Sequence, residues 1–320
     1  MRVRTMSAVA FACLAASAPP AVAGDHGEIL FTSDGAGSPD IWTMSPKGRD
    51  AVNLTAGSPA ADGRASWRPD GRKIVFVSDR ATPGNPTPPG AEGPDSEIFV
   101  MNADGSHPTQ LTFNAYDDDG VTWAPDGRSL IVQRDLDPVR GRNDADLFAV
   151  RADGRHERNL TNSPGIDEVR PDFSPDGDRV VFASDRDGDF ELNTMKPDGS
   201  RVRQLTANTT TEDEPSWSPD GRRIAFTSDR DPVDDSGFAY DIYTMRADGG
   251  RQTRLTVGGL DDFAPSWSPD GRTILFGTFR NATVGGGEFN AEIYSMRADG
   301  TKPTRLTQNL AFDGFPDWRP

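Results

Sequence analysis

The sequence predicts an all-β ring, a six-bladed β-propeller of four-stranded antiparallel blades. Three observations carry that expectation. An anchor of the form W-x-P-D-G-R followed by an apolar run starts at Trp67, Trp123, Phe173, Trp217 and Trp267, and begins again at Trp318. Two further signals each recur six times: an apolar third-strand position at Ile41, Ile98, Leu147, Leu192, Ile242 and Ile293, and an L-T pair at Leu54, Leu111, Leu160, Leu205, Leu255 and Leu306. Finally, the fragments at the two ends complete one another. Gly27 to Asp34 reads as the continuation that Trp318-Arg319-Pro320 lacks, so the ring is expected to close by pairing amino- and carboxyl-terminal segments.

Within a unit the strands follow from turn chemistry. In the fourth unit, Pro215–Ser218 forms the first strand and Pro219-Asp220-Gly221 turns the chain, because proline presets φ and glycine accepts a positive φ. Ile224–Thr227 is the second strand, ending in Ser228-Asp229-Arg230. Asp241–Met245 is the third, stopped by Ala247-Asp248-Gly249, and Arg254–Thr256 is the fourth. The spacing between successive anchors, 44 to 56 residues, is that of a four-stranded blade. No helical period survives after the first two dozen residues. The strands are near-continuous apolar runs rather than alternating ones, which predicts burial on both faces, with each anchor Trp filling the gap between neighbouring blades.

Residues 1–23 read as a secretory signal. Arg2 and Arg4 form a basic start, Ser7 to Ala18 is apolar and short, and Ala21-Val22-Ala23 has the small-residue pattern of a cleavage site. The expected location is extracellular or periplasmic. Cys13 is the one cysteine and falls in this segment, so no disulfide is expected after cleavage. The formal net charge is −16, and removal of the two signal arginines leaves −18. That charge disfavours nucleic acid and anionic membrane surfaces as partners and favours cations or basic segments. No later stretch approaches the ~20 apolar residues of a membrane span.

With W-S-P-D-G-R-R-I-A-F-T-S-D-R, D-I-Y-T-M-R-A-D-G and R-L-T in register, residues 27–320 resemble the TolB-like, WD40-like propeller repeat. The resemblance implies a periplasmic protein-binding or scaffold module, expected to be non-enzymatic and monomeric, with a protein or peptide as partner. In TolB itself a further domain precedes the propeller. Here the repeat begins a few residues after the expected signal, so a propeller module rather than a Tol–Pal role is implied. Similar propellers cap prolyl oligopeptidases and form the body of oligogalacturonate lyases. The sequence has no G-x-S-x-G elbow of the first group. The second group relies on histidines and metal, whereas His26, His107 and His156 occur here at no repeated or paired spacing. A secreted polysaccharide-degrading enzyme is therefore the alternative reading.

One chemical pattern recurs in every unit. Five residues before each anchor aromatic stands an acid: Asp62, Asp118, Glu168, Glu212, Asp262 and Asp313. A second set, Asp40, Glu97, Asp146, Glu191, Asp241 and Glu292, opens the third strands, and antiparallel order places both sets on one rim. The first set is expected to line the channel mouth, where it could hold Ca²⁺ or a basic ligand. The structural alternative is pairing with Arg80, Arg186, Arg230 and Arg280, which close the second strands. Asp185-Arg186-Asp187-Gly188-Asp189-Phe190-Glu191 has the look of a calcium loop. Its glycine precedes the third acid, contrary to EF-hand spacing, and a D-G hairpin turn accounts for it more simply. The inserts 81–96, 135–145, 231–240 and 281–291 share that rim, where a recognition surface is expected.

Overall fold

The computed structural model describes residues 28–80, 95–136, 144–231, 239–258, 260–280 and 290–320. The expected signal segment with Cys13, His26 and most of the four inserts lie outside these residues. The chain is a six-bladed β-propeller of four-stranded antiparallel sheets. Blade 1 comprises Asp62–Trp67, Lys73–Ser78, Glu97–Asn102 and Thr109–Gln110. Blade 2 comprises Asp117–Trp123, Ser129–Asp135, Ala145–Arg151 and Arg158–Asn159. Blade 3 comprises Glu168–Phe173, Val180–Ser184, Glu191–Met195 and Arg203–Gln204. Blade 4 comprises Glu212–Trp217, Arg223–Ser228, Asp241–Arg246 and Thr253–Arg254. Blade 5 comprises Asp262–Trp267, Thr273–Thr278, Glu292–Arg297 and Thr304–Arg305. Blade 6 takes its innermost strand, Asp313–Trp318, from the carboxyl-terminal end and Ile29–Ser33, Asp40–Met44 and Val52–Asn53 from the other end. Ile29 pairs with Trp318 and Ser33 with Asp313, which closes the ring as expected.

The core is divided into six clusters, one at each junction between blades. Trp217 of blade 4, for example, packs with Val169, Val181 and Leu192 of blade 3 and with Phe226 and Tyr243 of its own blade. Trp67, Trp123 and Trp267 occupy the same place at their junctions. Second and third strands are buried along nearly their whole length, as in Val180–Ser184 and Glu191–Met195. Arginines two residues past the P-D-G glycine cover the indole of the next blade: Arg179 lies 4.6 Å from the Trp217 ring and Arg223 lies 4.4 Å from the Trp267 ring.

Each repeated motif has a bonding task. In S-D-R, Ser78 accepts from Arg80 Nε at 2.8 Å, Asp79 accepts from the Ala61 amide at 2.7 Å, and Arg80 donates to Asp62 at 2.5 Å. In L-T, the threonine hydroxyl accepts from the third-strand amide in all six blades, as Thr256 does from Ile242 at 2.9 Å. The glycine that ends the third strand backs onto the carbonyl of the preceding blade's L-T leucine at every junction, including Gly48 on Leu306 where the ring closes. A Cβ on Gly105 would stand 2.5 Å from the Leu54 oxygen, and its φ of +81° disfavours side chains as well. Gly105→Ala should therefore destabilise the fold by at least about 2 kcal/mol. Gly57→Ala, where φ is +85° and nothing lies nearby, should cost only about 1 kcal/mol. Equal losses in urea unfolding would show that the junction contact does not matter.

Candidate functional site

The six first-strand acids are fully buried. Asp62, Asp118, Glu168, Glu212, Asp262 and Asp313 do not line the channel mouth as the sequence suggested. Burial strips water from a carboxylate, so each needs a partner. Arginine supplies it in five blades: Arg80 to Asp62 (2.5 Å), Arg134 to Asp118 (2.6 Å), Arg186 to Glu168 (3.0 Å), Arg230 to Glu212 (2.9 Å) and Arg280 to Asp262. Arg134 was not legible as a partner, because it stands inside its strand opposite Asp118 where other blades have Ser or Thr. In blade 6 Gly35 replaces the arginine, and Asn309 donates to Asp313 at 2.7 Å.

What lines the channel lies two to four residues further along each first strand, around a cavity of about 200 Å³. There every first strand carries a bulge. In five blades the bulged backbone is left-handed at a residue with a side chain: Arg64, Arg170, Glu214, Ala264 and Phe315 have φ between 50° and 54°. Bulges re-aim side chains, and here they turn them into the channel. The neighbouring blade holds several of these strained positions. The Arg64 amide donates to Thr32 at 3.1 Å, that of Arg170 to Gln133 at 3.1 Å, and that of Ala264 to Glu214 at 2.6 Å.

The mouth on the acidic rim has two unlike walls. Blades 1 to 4 contribute a charged chain: Arg64 to Asp119 at 3.3 Å, Arg170 to Asp119 at 3.6 Å and Arg170 to Asp213 at 4.0 Å. Blades 5 and 6 contribute half-buried phenylalanines in mutual contact. Phe263 stacks on Phe312 at 5.9 Å, meets Phe315 edge-on at 5.7 Å and touches Phe279 at 5.4 Å. Gly277 and Gly314 make room for them, since a Cβ at either would collide with these rings. Leu260 and Leu310 are exposed on the segments leading into the same strands. The Arg64 guanidinium, 4.6 Å from the Phe315 ring, joins the two walls. The aromatic wall was missed from sequence. Its visible sign is T-F-R in place of S-D-R, where Phe279 stands in the position of Asp79, Asp185 and Asp229.

Deeper in the channel Asp172 and Asp317 face inward where the other blades carry Ser66, Thr122, Ser216 and Ser266. Asp172 accepts from the Trp217 amide and Asp317 from the Trp67 amide, both at 2.8 Å. They reach water only through the narrow channel, and burial pushes them up to about 7 and about 6. Burial, with Asp213 next to it, likewise pushes Glu214 up to about 7. His107 and His156 are exposed, with positive φ, on turns between third and fourth strands, on the opposite rim.

Residues 168–285 match the family described as the TolB beta propeller domain. A TolB homolog of Chlorobium luteolum is 31% identical over 164 residues, 51% of this chain and 33% of that protein. An uncharacterized peptidase, YuxL, of Bacillus subtilis is 28% identical over 178 residues, 45% of this chain and 25% of that protein. The aligned regions thus span a quarter to a third of these curated relatives. Among solved structures, TolB from Acinetobacter baumannii superposes with a TM-score of 0.73 at 21% identity, covering 92% of this chain and 67% of that one. This last likeness speaks to the fold.

Two outcomes follow from the buried charge. Arg280→Ala strands Asp262 and should destabilise the protein by about 3 kcal/mol, with much of the loss recovered in the double variant Arg280→Ala/Asp262→Asn. No recovery would mean that the arginine acts through packing alone. The channel carboxylates act in the opposite sense to surface ones. A raised pKa means that the fold favours the protonated form, so stability is greatest below about pH 4 for these groups and is lost as pH rises through 6 to 7. The melting temperature should fall between pH 5 and pH 8, and Asp172→Asn/Asp317→Asn should flatten that slope; an unchanged slope in the variant would contradict the assignment.

Proposed function

We propose that this TolB-like propeller is an exported, non-enzymatic binding module that takes a protein segment at the mouth of its central channel. The observation that carries the reading is the two-walled mouth. Binding sites for protein segments combine an aromatic anchor surface with polar groups that fix orientation and exclude wrong partners. The cluster of Phe263, Phe279, Phe312 and Phe315 supplies the first, and the chain of Arg64, Asp119, Arg170 and Asp213 supplies the second. The alternating charges suit a segment that brings an apolar side chain beside a basic one. The resemblance to TolB, whose propeller is a protein-binding module, supports the same reading. Residues 1–23 support export, and no helix among the described residues is long and apolar enough to cross a membrane.

A cation at the ring of Asp62, Asp118, Glu168, Glu212, Asp262 and Asp313 forms no part of this proposal. Five of those carboxylates already carry an arginine, so the ring holds its own counter-charge. The enzymatic alternative draws on the peptidase-named relative and on the lyase-like propellers. The described histidines give it little support, since both lie on exposed turns away from the channel.

The reading is tested by capture from an envelope fraction, followed by titration of the purified partner or its isolated segment. Phe312→Ala and Phe315→Ala should each weaken binding by about tenfold or more, as expected for aromatic anchors, with the melting temperature monitored as a control. Binding that survives the double variant would remove the channel mouth from consideration. Turnover of pectic oligosaccharides with divalent metal, or of peptides, that disappears in these variants would overturn the non-enzymatic reading. Export predicts an envelope-located protein whose first residue is Gly24.

A further inference from the structure

The third-strand acids form an internal comparison, because the six blades present the same position six times. Asp40 receives Asn53 Nδ2 at 2.8 Å, and Asp146 receives Asn159 Nδ2 at 2.7 Å, both from the fourth strand. Asp241 pairs with Arg254, and Glu292 with Arg305 at 2.5 Å, again from the fourth strand. In blade 2's neighbour, blade 1, both oxygens of Glu97 are held by Asn114 at 2.8 and 3.1 Å. Glu191 of blade 3 departs from this scheme. Its fourth-strand residue, Gln204, donates instead to Asp187 Oδ2 at 2.6 Å. One Glu191 oxygen accepts from the Asn208 amide, but the other, Oε2, is fully enclosed and accepts no hydrogen bond that meets ordinary geometry, its neighbours being the Thr206 hydroxyl and the equally buried Glu212 carboxyl.

A buried carboxylate oxygen left in that state costs several kcal/mol unless something fills its coordination. Its surroundings deepen the problem rather than relieving it. Ligand atoms from Asp187, Asp189 and Glu191 lie within 4.8 Å of one another, and Asp189 Oδ2 is also enclosed without a partner. Asp185, the remaining acid of the turn, is engaged elsewhere: its side chain accepts from the Asp167 amide at 2.8 Å, and its carbonyl accepts from Gly188 at 2.9 Å. The D-G hairpin turn expected from sequence is therefore present, and three carboxylates converge beside it. They are graded from exposed Asp187 through half-buried Asp189 to Glu191, which is 0% exposed.

We propose that the turn joining the second and third strands of blade 3 binds one Ca²⁺ ion through Asp187, Asp189 and Glu191. Oxygens up to 4.8 Å apart suit an ion that takes oxygen ligands at about 2.3–2.6 Å. The absence of nitrogen or sulfur donors in the cluster points away from zinc. The open side at Asp187 leaves room for water to complete a shell of six to eight ligands, whereas Mg²⁺ demands a tighter octahedron. The ion would supply to Glu191 the counter-charge that Arg254 and Arg305 supply in blades 4 and 5. This site is separate from the channel mouth, although Glu191 abuts the first-strand acid Glu212 through Asn208, and it holds whatever the mouth binds.

The test uses the full chain freed of metal with chelator and then titrated with CaCl₂, read by calorimetry and by thermal unfolding. The wild-type protein should bind Ca²⁺, and its melting temperature should rise by about 2–4 °C at millimolar Ca²⁺, more than with equal Mg²⁺. Asp187→Asn and Asp189→Asn should each weaken binding by about tenfold or more and abolish most of the rise. In chelator they should melt no lower than wild type, because they relieve like-charge repulsion. Asp187 is exposed, so its variant keeps the test sound should Asp189→Asn fold poorly. No heat and no thermal shift in the wild type would overturn the proposal. So would a full shift in both variants, which would place the ion elsewhere.

Discussion

Each blade buries an ionisable carboxylate at the head of its innermost strand, and most of the repeat is arranged around that charge. An ion moved out of water loses far more than one apolar contact returns, so a buried acid persists only where partners are fixed in place. S-D-R does this with three consecutive residues. The serine orients the guanidinium, the aspartate caps the amide that precedes the first strand, and the arginine reaches the acid. The arginine also lies over its own blade's aromatics, as Arg80 does over Phe76 and Phe99. One side chain thus joins the electrostatic head of the blade to the apolar junction behind it. This economy lets a chain with only 34% apolar residues and no expected disulfide hold six separate small cores.

The same arrangement determines what the channel can present. With the acids tied down at the rim, the inner strand meets the axis through its bulge, and the residues displayed there sit in a left-handed backbone that neighbouring side chains hold. Strain of this kind survives only in a rigid surround. The junctions provide it, each closed by an anchor aromatic and by a glycine on the preceding leucine carbonyl, with a guanidinium over the indole at four of them. Because the strain is shared around the ring, the channel side chains are pre-positioned, and binding there need not meet the entropy of ordering a loop.

The ring was legible in the sequence because its parts are periodic and each obeys local rules. P-D-G and A-D-G are turns wherever they stand, and the terminal fragments declare their pairing. The acids were legible as a set, but their fate was not. Spacing places Asp62 and its counterparts on the rim without saying whether they face the channel or the sheet interior, since one register step at the bulge decides it. Arg134 shows the same limit, being recognisable as a partner only once Asp118 is known to lie opposite it. The aromatic wall was illegible for a different reason. Phe263, Phe312 and Phe315 stand about fifty residues apart at the heads of two successive first strands, and only the packing of blade 5 against blade 6 brings them together.

A repeat protein supplies its own controls. Where all six blades agree, as in the L-T threonine on the third-strand amide, the residue is explained by the fold. Where one blade breaks the rule, the fold has released that position, and the break needs another cause. Three breaks among the described residues have distinct chemistry. Phe279 replaces a strand-capping aspartate and extends an aromatic surface at the mouth. Asp172 and Asp317 replace hydroxyl residues and place two carboxylates in a channel that would otherwise be neutral at that depth. Gln204 turns from Glu191 to Asp187 and leaves a buried oxygen unpaired. Phe279 packs on Phe263 of its own blade, but the latter two changes leave carboxylates that the ring alone does not neutralise. Stability cannot account for them, so the departures from the repeat, rather than the repeat itself, are where binding should be sought.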